Sequence, residues 1–209
     1  MASNLVISLL RHGLTRANEK KQYIGWTDVP LSEQGKENLL QDPLKKVDAE
    51  VIFSSPLQRC VQTASILFPK GRIELIEELK EIYFGAWEQK TYEELKEEVT
   101  YRKWLLNIKE EAIEGGESFA QFERRIARGL SRIEVQCKKQ KYNSVAIVTH
   151  GGVLRSLMHG WFQEEKDFFD WSVPFGGGYE LTWENFYSKG DEKACTLLSV
   201  APTMVKQIG

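Results

Sequence analysis

Cysteine is scarce in this chain: three residues in 209, Cys60, Cys137 and Cys195. An odd count without paired spacing is no disulfide framework, and it suits a reducing compartment, so the cytoplasm is the expected location. Histidine is equally sparse, at His12, His150 and His159. No cysteine or carboxylate stands at ligand spacing from them, so no metal site is expected. No apolar run approaches the ~20 residues that span a bilayer. The hydrophobic stretch Leu5–Leu10 has no basic segment before it and leads straight into Arg11, which makes it a first strand and not a secretory signal. Charge of one sign is also lacking. A formal net charge of -2 gives no mark of a nucleic-acid or membrane-surface binder. No linker is rich in proline, glycine or serine, and no segment repeats, so residues 1–209 read as one domain.

What is present is alternation. Strand-like runs lie at 4–10, 50–53, 73–76, 144–149, near 179–185 and near 196–200, with helical signals between them. Pro56 stands at an expected first-turn position, followed by an apolar row at Leu57, Cys60, Val61 and Ala64. Thr91 with Glu94, and Ser118 with Gln121, form two expected capping boxes, the second opening a helix to about 139. Gly151-Gly152 are expected to end the fourth strand, before an apolar helix from Val153 to about Phe162. Strands alternating with helices imply an α/β fold, a three-layer α/β/α sandwich with a mostly parallel central sheet. The less regular stretch of about 86–117 reads as a helical, cap-like insertion near the pocket.

Two strands end in a titratable residue followed by glycine: Arg11-His12-Gly13 and Thr149-His150-Gly151. Ligands of open α/β sheets bind beyond the carboxyl ends of the strands, so both imidazoles are expected on one rim. The glycines let backbone approach a ligand closely. At Ser54-Ser55-Pro56 a strand hands over to a helix whose N-terminus favours anions, with Arg59 about one turn in. Arg11 and Arg59 for bidentate grip, with a protonated imidazole, make a phosphate site that needs no metal. The glycine spacing matches neither a P-loop nor a dinucleotide fingerprint, so no cofactor is expected.

These residues stand in a longer pattern. Arg11-His12-Gly13 is followed by Thr15, Asn18, Tyr23-Ile24-Gly25-Trp26, Pro30-Leu31 and Gly35. Ser54-Ser55-Pro56 with Arg59 and Thr63 comes next, then Leu79 through Glu88, then Thr149-His150-Gly151-Gly152. Over almost its whole length, and in this order, the chain resembles the histidine phosphatase superfamily, also called phosphoglycerate mutase-like. That resemblance implies a phosphohistidine on His12. Arg11, Arg59 and His150 would hold the phosphoryl oxygens, Asn18 and Gly151 would add substrate contacts, and Glu81 would serve as acid and then base. Glu81 would then need apolar surroundings, with Phe84 and Trp87 at hand. The partner would be a small-molecule phosphate ester, the protein a monomer or homodimer.

Within that family, mutases carry a longer, proline-rich middle segment after an arginine pair. Here Arg102-Lys103 has no prolines near it, and Ile24 stands where mutases have a hydroxyl residue. The middle of the chain is similar to α-ribazole phosphatases, which act late in cobalamin nucleotide-loop assembly; Glu81–Glu88, Trp104, Gly115–Phe119, Phe122, Arg124 and Arg125 carry that likeness. The same features suit broad-specificity phosphatases. An inactive phosphate-binding protein would lack a core residue, and none is missing. Outside the pattern, His159 reads as structural, the tryptophans as mostly core, and Glu93–Glu98 as an exposed helix face. Trp26 and Trp104 are candidates for the leaving-group pocket.

Overall fold

A computed structural model describes residues 4–41, 49–162, 168–184, 186 and 195–200, the last six as backbone. Among these residues six strands form one sheet in the order β3-β2-β4-β1-β5-β6: β1 Leu5–Arg11, β2 Val51–Ser54, β3 Ile73–Leu75, β4 Ser144–Thr149, β5 Gly178–Trp183 and β6 Cys195–Val200. The first four run parallel, and β5 pairs antiparallel with both β1 and β6. The helices are α1 Arg16–Glu19, α2 Glu33–Leu40, α3 Gln58–Leu67, α4 Tyr92–Leu95, α5 Val99–Leu106, α6 Phe119–Gln140 and α7 Gly151–Trp161.

Alternation along the strands decides which helices cover which face. Leu5, Ile7, Leu9, Val145, Ile147, Val51 and Phe53 pack with apolar residues of α6 and α7. Their neighbours Leu10, Ala146, Val148 and Ile52 point the other way, to Leu39 of α2 and to Cys60, Ala64 and Leu67 of α3. Because both faces are covered, β1 and β4 read as unbroken apolar runs and not as apolar-polar alternation. Each fully buried leucine or isoleucine here contributes roughly 1.5–3 kcal/mol of transfer free energy. The mostly parallel α/β expectation is correct.

Local signals explain most helix starts. Both expected capping boxes form, Thr91 with Glu94 and Ser118 with Gln121. On α6, Phe119, Phe122, Ile126, Ile133 and Cys137 recur on one buried stripe. Two starts differ from expectation. The cap of α3 is Leu57, which has no capping side chain, so Pro56 lies before the helix; Asp28 from a distant loop accepts from Gln58 N–H at 2.7 Å instead. Gly151 and Gly152 do not end β4 but form the first turn of α7, with His150 at the N-cap position and no side-chain cap bond. The helix α2 gave no apolar period to read: only Gly35 and Leu39 are buried, and the N-cap Ser32 starts it.

Cys60 and Cys137 are buried and unpaired. No helix among the described residues is long and apolar enough to cross a membrane.

Candidate active site

Strand register builds the site. Parallel pairing sets Arg11 opposite Thr149, and His12 N–H donates to Thr149 O at 2.9 Å, so the next residues, His12 and His150, come level at the carboxyl edge of the two central strands. Their ring centroids are 5.2 Å apart. In sequence order β1 is followed by β2, but β4 lies between them in the sheet. The site therefore falls where strand order reverses, the usual crevice of such folds.

Hydrogen bonds fix the proton on each ring. His12 Nδ1 lies 2.7 Å from Gly13 O, and a carbonyl only accepts, so Nδ1 carries the proton and Nε2 keeps its lone pair. For His150, the Arg59 Nε–H donates to Nδ1 at 3.3 Å, so Nε2 carries the proton and faces Ser55 Oγ at 2.8 Å. Burial, with the charges of Arg59 and Arg11, holds His12 well below the ordinary histidine range. Burial and Arg59 do the same to His150. Both shifts run against the expectation of a protonated imidazole, because burial and two nearby guanidiniums disfavour further positive charge.

Arg59 is 1% exposed and does not reach outward from a free helix end. It donates to His150 Nδ1, to Thr27 O at 3.0 Å and to Gly25 O at 2.7 Å, while Asp28 occupies the amide at the start of α3. The anion-binding helix terminus anticipated there is thus already filled, and the positive charge facing the site is that of the guanidinium itself. Thr63 Oγ1 donates to Arg59 O and accepts from Gly13 N–H, joining α3 to the loop after β1.

Arg11 stacks on Phe175, with Cζ 3.7 Å from the ring centroid, and donates to Val173 O at 2.6 Å. Its Nε is buried without a partner among the described residues. Burial pulls the group down to about 10, so it stays cationic at neutral pH. Gly151 lies flat against it: a Cβ there would come 3.3 Å from Arg11 Cζ and Nε.

A cavity of about 250 Å³ opens beside these groups, lined by Arg11, His12, Asn18, Glu81, Gly151 and Arg155 on its polar side. Tyr23, Phe84, Trp104, Phe119, Phe122 and Phe168 line the rest, with Ile24. The Asn18 side chain closes a capping box with Thr15 through Oδ1. Glu81 Oε2 accepts from Gly152 N–H at 2.9 Å and Oε1 from Ile82 N–H at 3.0 Å. Phe84 shares the cavity with Glu81, whereas Trp87 packs against Tyr101 and Trp104 in the core. Of the two tryptophan candidates, Trp104 lines the cavity. Trp26 does not; it is 40% exposed, lies against Tyr83 and donates its indole N–H to Glu81 O at 2.9 Å. His159 sits on α7 with its ring against Phe168.

Three supporting residues stand in the sequence pattern, but the pattern gave them no role. Glu88 accepts from the N–H groups of Gly25, Trp26, Thr27 and Phe84 and from Thr27 Oγ1, so it holds the loop whose carbonyls grip Arg59. Arg125 donates to Glu117, to Glu78 O, to Lys80 O and to Glu81 O, clamping the segment that presents Glu81. Thr149 Oγ1 donates to Leu79 O at 2.8 Å and ties that segment to β4.

A sequence profile of the histidine phosphatase superfamily (branch 1) matches residues 7–188. The chain belongs to the histidine phosphatase superfamily. The adenosylcobalamin/alpha-ribazole phosphatase of Escherichia coli is 31% identical over 156 residues, covering 72% of this chain and 75% of that protein. Phosphoserine phosphatase 1 of Hydrogenobacter thermophilus is 31% identical over 156 residues, covering 71% and 72%. A crystal structure of a putative alpha-ribazole-5'-P phosphatase from Escherichia coli superposes with a TM-score of 0.82 at 25% identity, over 95% of this chain and 97% of that one. Phosphatases with two different named substrates thus stand at the same identity to this chain, and identity alone does not name its substrate.

Proposed function

We propose that this chain is a phosphomonoesterase that works through a phosphohistidine on His12, with α-ribazole 5′-phosphate as its substrate. One observation carries the reading: His12 presents an unprotonated Nε2, its Nδ1–H being held by Gly13 O, beside the unpartnered buried Nε of Arg11. Nε2 attacks phosphorus, the bond to the ester oxygen breaks, and Glu81 gives its proton to the departing alkoxide. Water then attacks the phosphohistidine, Glu81 takes a proton from it, and inorganic phosphate leaves. Arg11 and Arg59 neutralise the transferring PO₃ group, Asn18 and Gly151 border it, and the incoming dianion raises the proton affinity of His150.

The leaving-group side supports an alcohol that carries a planar, apolar ring. It is walled by aromatic rings, and Ile24 offers no hydroxyl. Residues 86–117 supply Trp104 and Ile108 to that wall, and we assign them the role of a cap over the leaving group. The small volume and few polar groups also fit a broad-specificity phosphatase. The test is a panel of α-ribazole 5′-phosphate, phosphoserine, p-nitrophenyl phosphate and 3-phosphoglycerate with a bisphosphate primer, with and without EDTA. α-Ribazole 5′-phosphate is expected to lead in kcat/KM by at least about tenfold, with no effect of EDTA; one methylene-sized contact already discriminates about that much. A flat ranking would make the enzyme a general phosphatase, and isomerisation of phosphoglycerate would make it a mutase.

A further inference from the structure

The arginines around the site differ in how their N–H groups are used. A guanidinium has five donors. Arg125 directs all of them at Glu117 and three backbone carbonyls. Arg59 has three partners in His150, Thr27 and Gly25. Arg11 keeps a buried Nε free, which the phosphoryl group explains. Arg155 also has a buried Nε with no partner among the described residues, and nothing in the reaction so far uses it.

Arg155 lies on α7, four residues beyond Gly151, and lines the same cavity as His12 and Glu81. At 1.5 Å per residue it stands about 6 Å further along the helix than Gly151, away from the strand ends that hold phosphorus. Phe168 and Phe169 line the cavity with it. Its negative neighbour, Glu81, already directs its oxygens at Gly152 and Ile82 N–H. A second unpartnered donor, Trp104 Nε1, belongs to another wall residue of this cavity. Buried donors without acceptors carry a desolvation cost that a ligand acceptor removes. An aromatic cavity whose orphans are all donors selects a leaving group that carries acceptors.

We propose that Arg155 is a specificity-determining residue that donates to an acceptor oxygen of the leaving alcohol, of the kind a ribosyl group carries. This rests on the phosphomonoesterase reading but not on α-ribazole as the particular substrate. The binding of one charged donor to one neutral oxygen requires no change in the chemical step.

The experiment compares the full chain with its Arg155→Met and Arg155→Lys variants on α-ribazole 5′-phosphate, ribose 5-phosphate and p-nitrophenyl phosphate, with pH profiles. Arg155→Met is expected to lose at least about tenfold in kcat/KM on the two ribosyl esters, mostly through KM. On p-nitrophenyl phosphate, which has no sugar oxygen, it should stay within about twofold, with unmoved pH limbs. Arg155→Lys, which keeps the charge and the fold, should recover part of the loss. An equal loss on all three esters would make Arg155 a phosphoryl ligand and overturn the proposal. So would a shifted pH limb on p-nitrophenyl phosphate, since Arg155 would then act through Glu81, and so would unchanged ribosyl esters. If the unaltered chain hydrolyses ribose 5-phosphate but not α-ribazole 5′-phosphate, the substrate assignment fails while the ribose ester still judges Arg155.

Discussion

His12 and His150 lie 5.2 Å apart with their planes at 62°, yet they carry their protons on opposite nitrogens. The carbonyl of Gly13 keeps the proton of His12 on Nδ1, and the Arg59 Nε–H keeps the proton of His150 on Nε2. One ring is left with a lone pair to attack; the other is locked between Arg59 and Ser55. The division of labour follows from which neighbour can only donate and which can only accept.

Both rings sit well below the ordinary histidine range, burial being the main cause and Arg59 the next. The unfolded chain binds protons on them below about pH 6.5, while the folded chain does not. Between the unfolded value and the lower folded value, the unfolded state therefore holds more protons. Stability should fall as pH drops below about 6.5, by up to about 1.4 kcal/mol per pH unit for each ring. Urea midpoints across this range check it, and His12→Gln should remove about half of the slope. A slope that the variant leaves unchanged would mean the His12 ring is protonated in the folded chain.

Gly152 offers a separation of activity from stability. A Cβ there would come 2.4 Å from Glu81 Oε1, so Gly152→Ala must push the carboxylate aside. In an α-helix alanine is favoured over glycine by about 1 kcal/mol, which offsets part of the crowding. The expected result is a loss of about a hundredfold in kcat, the low end for a lost acid–base group, with a Tm changed by only a few degrees. Full activity in Gly152→Ala would remove Glu81 from the chemistry.

Glu88 is expected to act at a distance through Arg59. Glu88→Ala leaves four N–H groups and a hydroxyl without their acceptor, a cost on the order of 3 kcal/mol. The freed loop loosens the carbonyls of Gly25 and Thr27, so kcat/KM should fall about tenfold on every phosphate ester alike. Chemical denaturation and steady-state kinetics measure the two effects. A stability loss with unaltered kinetics would show that Arg59 keeps its place without the loop.

The residues legible in the sequence share one property: each ends or starts an element whose own pattern is strong. His12 and His150 stand where apolar strands stop, and the Ser118–Gln121 box announces α6. The roles that stayed hidden act across long separations. Glu88 meets its partners in the Gly25–Thr27 loop 61–63 residues away, Asp28 caps a helix 30 residues on, and Arg125 reaches carbonyls 44–47 residues back. Such bonds leave no local periodicity. The helix α2 was hidden for a different reason, since a surface helix with two buried positions has no apolar stripe to count. The lowered proton affinity of the two rings was not legible in the sequence, because the count of positive groups was visible and their burial was not.

The most direct measurement is rapid quenching of the enzyme during turnover of a ³²P-labelled ester, under base, followed by peptide mass spectrometry. The account predicts an acid-labile, base-stable phosphate on the peptide that contains His12, formed as fast as the alcohol is released and absent in His12→Ala. Turnover with no such adduct, or an adduct on His150 instead, would contradict it.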